Sequence, residues 1–558
     1  MEASPRISAE RSVRAAGMLA LAGAPLITTV AALAALAWTG QLATELLGDP
    51  GAPVRYGLPV TRVVHDVAAA ATIGLLLVPS VLLPDEGRDR WNLDGLRARL
   101  VRWAGCAACL WAASLVVLLA LTCADATGFG LLQNGFGEQL WFFASQLDLG
   151  RSLLAAAVLV LLCAHLALLA TGLRTAAWSG AAAAAAMLPL ALGGHVAGSN
   201  DHANAVNALF VHLLAVTVWV GGAAALLVVA LLPISRGAGP VRLDRPAQRF
   251  STVAGWCFAA VAFSGVLSAW LRLGDLQGLF TGYGAIVVVK AAALVGLGLA
   301  GRRHRSALLP ALQRNPRDRA AFIRLLAVEL LVMALAMGLA VALSRTAPPQ
   351  PAPGVSDGTP PALTVPTLLT QWHIDWVALA LILLALAGYL AGVHRLGDRG
   401  ESWPRPRIVF WSAGCLLLLW LTSGGPAVYG AVLSAHVLMQ LLLTLAVPPL
   451  LVGGAPLTLA LATLPARPDS SAGPREWLRT IEGSRVLAVL NRPLIAAAVL
   501  AASLAVHHGV ELDGQRLSGL ARGTHSGYLL TVGYFLGLGC LIARNRRNPA
   551  GRRAQPGE

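Results

Sequence analysis

Fourteen apolar stretches, each close to the length that crosses a bilayer, leave this chain one kind of fold. They lie near residues 15–39, 60–83, 101–123, 151–171, 175–193, 206–232, 250–272, 284–301, 322–344, 373–393, 407–423, 433–452, 491–508 and 525–543. A hydrocarbon core about 30 Å thick needs about 20 apolar residues in a helix, and within it every backbone N–H and C=O must find an internal partner. The stretches therefore predict an all-α, polytopic integral membrane bundle of about 14 helices. Only 12% of the 558 residues are charged, against about 25% in soluble proteins, which excludes a globular domain on a single anchor. The first stretch lacks a small-residue cleavage site after a short apolar core, so it reads as a retained helix rather than a signal peptide.

The formal charge of +15 is spread as arginine clusters in alternate loops. That is the pattern of the positive-inside rule and not of a nucleic-acid surface. It predicts a plasma-membrane protein with an even number of spans and both termini cytoplasmic. Residues 345–371, rich in Pro, Ser and Thr and poor in charge, read as an outer linker. It separates an N-terminal unit of about nine helices, 1–344, from a C-terminal unit of about five, 372–543, followed by a basic tail, 544–558. A short amphipathic helix is expected around Arg475–Ile481. The chain has no P-loop, Rossmann fingerprint, nucleophile elbow or HExxH, so it reads as a binding or transport protein and not as an enzyme. Cys106 and Cys109 form a CxxC on the inner part of a predicted helix, open to a structural or a soft-metal role.

With that topology, nine of the twelve histidines fall at or near the outer face: His65, His195, His202, His212, His373, His436, His507, His508 and His525. Only His165, His304 and His394 fall near the inner side. The densest stretch is HVAGSNDHANAVNALFVHLLAVTVWVGG, residues 195–222, in which a polar loop with two histidines runs into an apolar helix carrying a third. An ionisable group at the bilayer centre costs about 2.5–3.5 kcal/mol on insertion scales, so His195, His202 and His212 call for a ligand. Neutral imidazole suits copper, zinc, iron and nickel.

A second group, His436, Met439 and Gln440, lies at i, i+3 and i+4 on one helix face. Met439 reads either as core packing or as a thioether selecting Cu(I). Pro448-Pro449 is expected to break or kink that helix. Lys290, the only lysine, and Glu329 lie inside spans. They read as an ion pair bridged by one water or as part of an ion pathway, with Met333 and Met337 as packing or as stepping-stone thioethers on the face above Glu329. Trp372, Trp376, Trp403 and Trp411 flank spans as an interfacial aromatic belt would.

These residues carry a resemblance. Residues about 150–344 resemble the copper resistance protein D (CopD) family in the HVAGSNDH loop, the VHLLAVTVWVGG helix, RFS at 249–251 leading into SGVLSAWLRLG, and the YG at 283–284 before Lys290. Residues about 367–543 resemble the cytochrome c oxidase assembly factor CtaG family in LLTQWHIDW, YLAGVHRL, WPRPR, GGPAVYG, SAHVLMQLLLTLAVPPLLVGGAPLTLAL and GPREWL. The tandem order is similar to fused CopD–CtaG proteins of actinobacteria. The resemblance implies copper uptake or tolerance by the first unit and copper delivery to a haem–copper oxidase by the second, with oxidase subunits or outer-face copper chaperones as partners beside the lipid bilayer. It implies His195, His202 and His212 as metal ligands of the first unit, and His373 and His436 of the second. The chain departs from the CtaG pattern at Gln440, where a histidine is usual, and lacks its later Gly-His element, although His525 remains near. It also ends soon after RNRRNP, which reads as a shortened unit.

The reading is therefore a copper-binding membrane protein that captures Cu(I) or Cu(II) through outer histidines. Three alternatives stay open: an intramembrane electron-transfer protein holding haem between His212 and His65, an ion-coupled transporter of another substrate, and a purely structural subunit.

Overall fold

The computed structural model describes residues 5–44, 49–84, 91–93, 95–193, 201–232, 242–315, 319–349, 361–429, 432–469, 471–484 and 495. Among these are helices and no strand. Twelve helical segments are long and apolar enough to cross a membrane, from Arg11–Trp38 to Val437–Thr463. Each falls on one of the first twelve apolar stretches. The last two stretches, save for residue 495, lie outside the described residues, as do His507, His508 and His525. The protein is a polytopic helical membrane bundle. It divides into two compact units, Met1–Gly354 and Val355–Glu558.

The first unit contains α1 (Pro5–Trp38), α2 (Ala52–Leu77), α3 (Gly95–Thr127), α4 (Phe136–Gln146), α5 (Asp148–Leu168), α6 (Leu173–Leu192), α7 (His202–Leu231), α8 (Asp244–Leu273), α9 (Gly282–Arg303), α10 (Leu309–Arg314) and α11 (Ala320–Leu343). Short side chains fix several starts. Asp201 caps α7 by accepting from the Asn204 backbone N–H, and Thr281 caps α9 through Gly284. A π turn at His304–Leu308 joins α9 to α10 without a break in the helical path. The amphipathic α4, which exposes Trp141 and Phe142, lies in a connection that the span pattern leaves unassigned.

The centre of this unit is the pair α2 and α7. α2 packs on α3 and α7, α7 on α8, α3 on α5, α5 on α6, and α1 along α11. In lipid, apolar side chains gain little from leaving the acyl chains for one another, so helices associate where small residues let backbones touch. Gly74 of α2 and Gly221 of α7 make such a contact. A Cβ added at Gly74 would lie 1.9 Å from the Gly221 carbonyl oxygen, and one at Gly221 would lie 1.9 Å from that of Ala70. A second contact sits between α11 and α1, where a Cβ at Gly338 would lie 2.3 Å from the Thr28 carbonyl oxygen.

The second unit contains α12 (Val365–Thr370), α13 (Trp376–Gly397), α14 (Arg405–Ser423), α15 (Gly425–Val428), α16 (Leu433–Leu441), α17 (Val447–Gly453), α18 (Pro456–Thr463) and the amphipathic α19 (Pro474–Glu482), which covers the helix expected around Arg475. α12 occupies part of the stretch read as a linker; Thr364 and Thr367 close a reciprocal capping box at its start. Pro448-Pro449 does not end its helix. Residues 442–446 widen into a π turn that absorbs the missing N–H donors, and the path resumes as α17. The interruption falls later, at Gly454 and Ala455, where Ala455 takes a φ of 51°. The carbonyl freed at Gly454 accepts from the Tyr389 hydroxyl at 2.7 Å, and that oxygen in turn accepts from Trp403 Nε1–H at 2.9 Å. Tyr389 stacks on Trp411 with centroids 4.9 Å apart. Trp411 is therefore a buried core residue and not a member of an interfacial belt, whereas Trp372 and Trp376 are exposed.

The backbone contact between α2 and α7 makes a direct prediction. Gly221→Ala adds only a methyl group, but it must push two helices apart, at a cost of about 1–3 kcal/mol or more. A thermal melt of the detergent-solubilised protein should show the loss, whereas Gly265→Ala, at a position open to space, should not. Equal melting of Gly221→Ala and the parent would rule out the contact.

Candidate functional site

The polar groups of the first unit gather at two levels. The first is set by α7. His212 lies ten residues into this helix, half-buried, and its Nδ1 is 3.0 Å from Ser264 Oγ on α8. A serine hydroxyl has one proton, and Ser264 spends it on the Ala260 carbonyl oxygen at 2.6 Å. Ser264 thus accepts from His212 Nδ1–H. This holds the imidazole as the Nδ1-protonated tautomer and leaves the Nε2 lone pair unspent. Seven residues further along α7, Trp219 meets Phe258 of α8 edge to face at 6.0 Å, which continues the same antiparallel interface. Lys290 of α9 lies within electrostatic reach of His212, and Arg272 within reach of Lys290.

The loop before α7 brings further polar groups. Asp201 holds the Asn204 side-chain amide at 2.8 and 3.0 Å, and Asn204 and Asn207 are buried in the first turns. Sequence reasoning passed over both asparagines. His195 lies outside the described residues; His202 is the first residue of α7.

His65 stands at the level of His212. Each lies nine residues before the glycine at which α2 and α7 touch, a rise of about 13–14 Å. The two rings nonetheless turn to different neighbours. His65 bonds Asp66 at 2.9 Å and packs edge-on against Trp111 of α3, while His212 faces α8.

The second level lies toward the arginine-rich ends of α8, α9 and α11. A cavity of about 380 Å³ opens there, with Ser251, Arg302, His304, Arg305 and Glu329 among apolar and aromatic walls. Glu329 is buried, and its Oε1 is 3.9 Å from His304 Nε2. The expected pairing of Glu329 with Lys290 does not form. Lys290 lies eight residues from the start of α9 and Glu329 fourteen from the far end of α11, so their levels differ by about 9 Å at 1.5 Å per residue. Met333 and Met337 continue the Glu329 face at four-residue steps, both buried in the cluster that contains Trp219 and Ala223. His304 was missed because it sits in a run of arginines that reads as a topology signal.

In the second unit, α16 sets positions 436, 439 and 440 on one face, and Met439 and Gln440 are buried. Gln440 Oε1 has no hydrogen-bond partner. His373 is exposed just before α13, its backbone N–H bonded to the Ser423 carbonyl oxygen at 2.8 Å. Among the described residues no three His, Cys, Asp or Glu side chains converge as a closed metal site. Cys106 and Cys109 are free thiols on the exposed face of α3.

Three family models match the chain. Residues 52–205 match the copper resistance protein D-like N-terminal domain, 245–343 match copper resistance protein D, and 387–557 match the cytochrome c oxidase caa3 assembly factor CtaG. The three matches in one chain are those of a CopD–CtaG fusion. Its CopD part begins upstream of residue 150, where the motifs alone placed it. Ser264, Lys290, His304, Glu329, Met333 and Met337 lie in the second match, and His212 lies between the two CopD matches. Curated relatives include uncharacterized proteins of Mycobacterium bovis and Mycobacterium tuberculosis, each 38% identical over 142 residues, 25% of this chain and 22% of theirs. One of Mycobacterium leprae is 39% identical over 127 residues, 22% of this chain and 19% of its own. The matched part thus spans about a fifth of the length of these relatives. No solved structure matches. The fusion of these families marks a copper-related, multi-pass membrane protein.

The His212–Ser264 hydrogen bond predicts a tautomer. In ¹⁵N spectra of histidine-labelled protein, the resonances that vanish in His212→Asn should be those of a protonated Nδ1 and an unprotonated Nε2. Ser264→Ala should remove that bias. A protonated Nε2 in the parent protein would contradict the assignment.

Proposed function

We propose that the first unit takes up copper ions from the outer face, with His195 and His202 as capture groups and His212 as the deep ligand. The observation that carries this reading is the unspent Nε2 lone pair of His212, held in place by Ser264 within a chain matching copper-resistance and oxidase-assembly families. The proximity of Lys290 suits a site of transit rather than storage, because a fixed positive charge opposes a resident cation. The soft groups below are Met337 and Met333, followed by Glu329 and His304. Thioethers favour Cu(I), so the route proposed is a Cu(I) route along α11. The second unit, with His373, His436, Met439 and His525 as its candidate ligands, serves copper delivery to a haem–copper oxidase. The protein acts as a carrier and not as an enzyme, in the plasma membrane with both termini cytoplasmic.

Copper content of the purified full-length protein after growth in copper tests the first-unit site. His212→Ala should lose the ion that the parent retains, and Ser264→Ala should weaken it about 10- to 100-fold, the usual effect of removing a group that orients a ligand. Met333→Leu with Met337→Leu should leave binding intact and slow uptake. Equal copper in the parent and His212→Ala would refute His212 as the ligand. A Soret band without copper would refute the copper reading altogether.

A further inference from the structure

The cavity at the arginine-rich level has features that a cation route does not use. Its walls are largely apolar, including Phe250, Ala254, Phe258, Val295 and Leu299, and it is open between α8 and α9, where Val295 and Leu299 are 62% and 64% exposed. Two arginines, Arg302 and Arg305, line its other end. Arg305 turns back along its own helix. Its Nη1 lies 3.9 Å from the position of a Cβ on Gly301, one turn earlier, and 3.8 Å from one on Gly255 of α8. The guanidinium thus rests against the two glycine positions at ordinary van der Waals distance. Among the described residues neither arginine has an acceptor within hydrogen-bonding distance, and the one carboxylate lining the cavity, Glu329, faces His304.

A guanidinium directed into an apolar groove without a carboxylate calls for an anion, and its fork of donors matches phosphate oxygens. The apolar walls call for hydrocarbon in the same ligand. The arginines lie at the end of α9 and in the π turn that follows it, and basic pockets between helices at an arginine-rich face recognise acidic headgroups. The volume of about 380 Å³ equals about a dozen waters at about 30 Å³ each. That is room for a phosphoglycerol group and the first methylenes, with the rest of the chain lying along the open side. Positive charge disfavours a cation between the two guanidiniums themselves; Glu329 and His304, the last groups of the proposed copper route, line the same cavity but are not part of that pair.

We propose that the groove between α8 and α9 binds an acidic phospholipid from the leaflet on the arginine-rich side. Its phosphate sits between Arg302 and Arg305, and one acyl chain lies against Val295, Leu299 and Phe258. The lipid braces α9 against α8 and closes the wall opposite His304 and Glu329. This site is independent of the copper reading.

Native mass spectrometry and thermal melts of the delipidated full-length protein in mild non-ionic detergent test it, with phosphatidylglycerol, phosphatidylcholine and glycerol phosphate as probes. The parent should retain one phosphatidylglycerol at least tenfold more tightly than phosphatidylcholine and melt higher with it. Arg302→Gln with Arg305→Gln should lose that preference, while Arg303, Arg314, Arg317 and Arg319 keep the loop basic and the topology set. Val295→Trp should fill the groove and lower retention of both lipids with the arginines in place. Equal phosphatidylglycerol retention in the parent and both variants would overturn the site. Stabilisation by glycerol phosphate equal to that by phosphatidylglycerol would overturn the lipid as its occupant.

Discussion

The backbones of α2 and α7 touch at Gly74 and Gly221, with no side chain between them, and the first unit is arranged around that contact. It sets the level of His65 and His212 above the crossing and makes α7 a central helix with α8 on its far side. In that position His212 reaches Ser264. A larger residue at the crossing would separate the helices and leave the imidazole without its acceptor. Packing by small residues, which supplies the association energy in lipid, thus also orients the polar chemistry.

Many polar groups of the spans are paired, although His65 Nε2, Trp111 Nε1 and Gln440 Oε1 are buried without a partner. Arg345 ties α11 to α3 through both oxygens of Asp125, at 3.2 and 3.0 Å. The Asp375 carboxylate is spent on the first N–H groups of α13. Tyr389 satisfies the carbonyl released at Gly454. Against that background, the groups with capacity to spare stand out: His212 Nε2, the facing but unbonded Glu329 and His304, and the two arginines of the arginine-rich groove. The first is suited to a metal and the last to a phosphate. Each has a different neighbour, so copper and lipid need not compete for one set of atoms.

Apolar length made the fold legible, because twelve described spans fall on twelve predicted ones, and arginine placement separated their ends. His212, Met333, Met337 and Glu329 were visible as polar or soft residues in apolar helices. Their partners were not. Ser264 lies in a run of small residues that gives no sign of an acceptor, and His304 was concealed by the arginines around it. The supposed Lys290–Glu329 pair failed because spacing within one helix says nothing about its depth relative to another. Trp411 was misread for a similar reason: a position near a helix end is interfacial only if no neighbour covers it, and Tyr389 does. The threonines of α12 showed that a Pro-rich stretch can still carry a capped turn.

The central claim is that copper engages His212 through Nε2. Copper-edge X-ray absorption of the purified protein, loaded with one equivalent of Cu(I), tests it most directly. The account predicts outer-shell imidazole scattering that diminishes in His212→Ala and persists in His304→Ala. An imidazole signature unchanged in His212→Ala would contradict it.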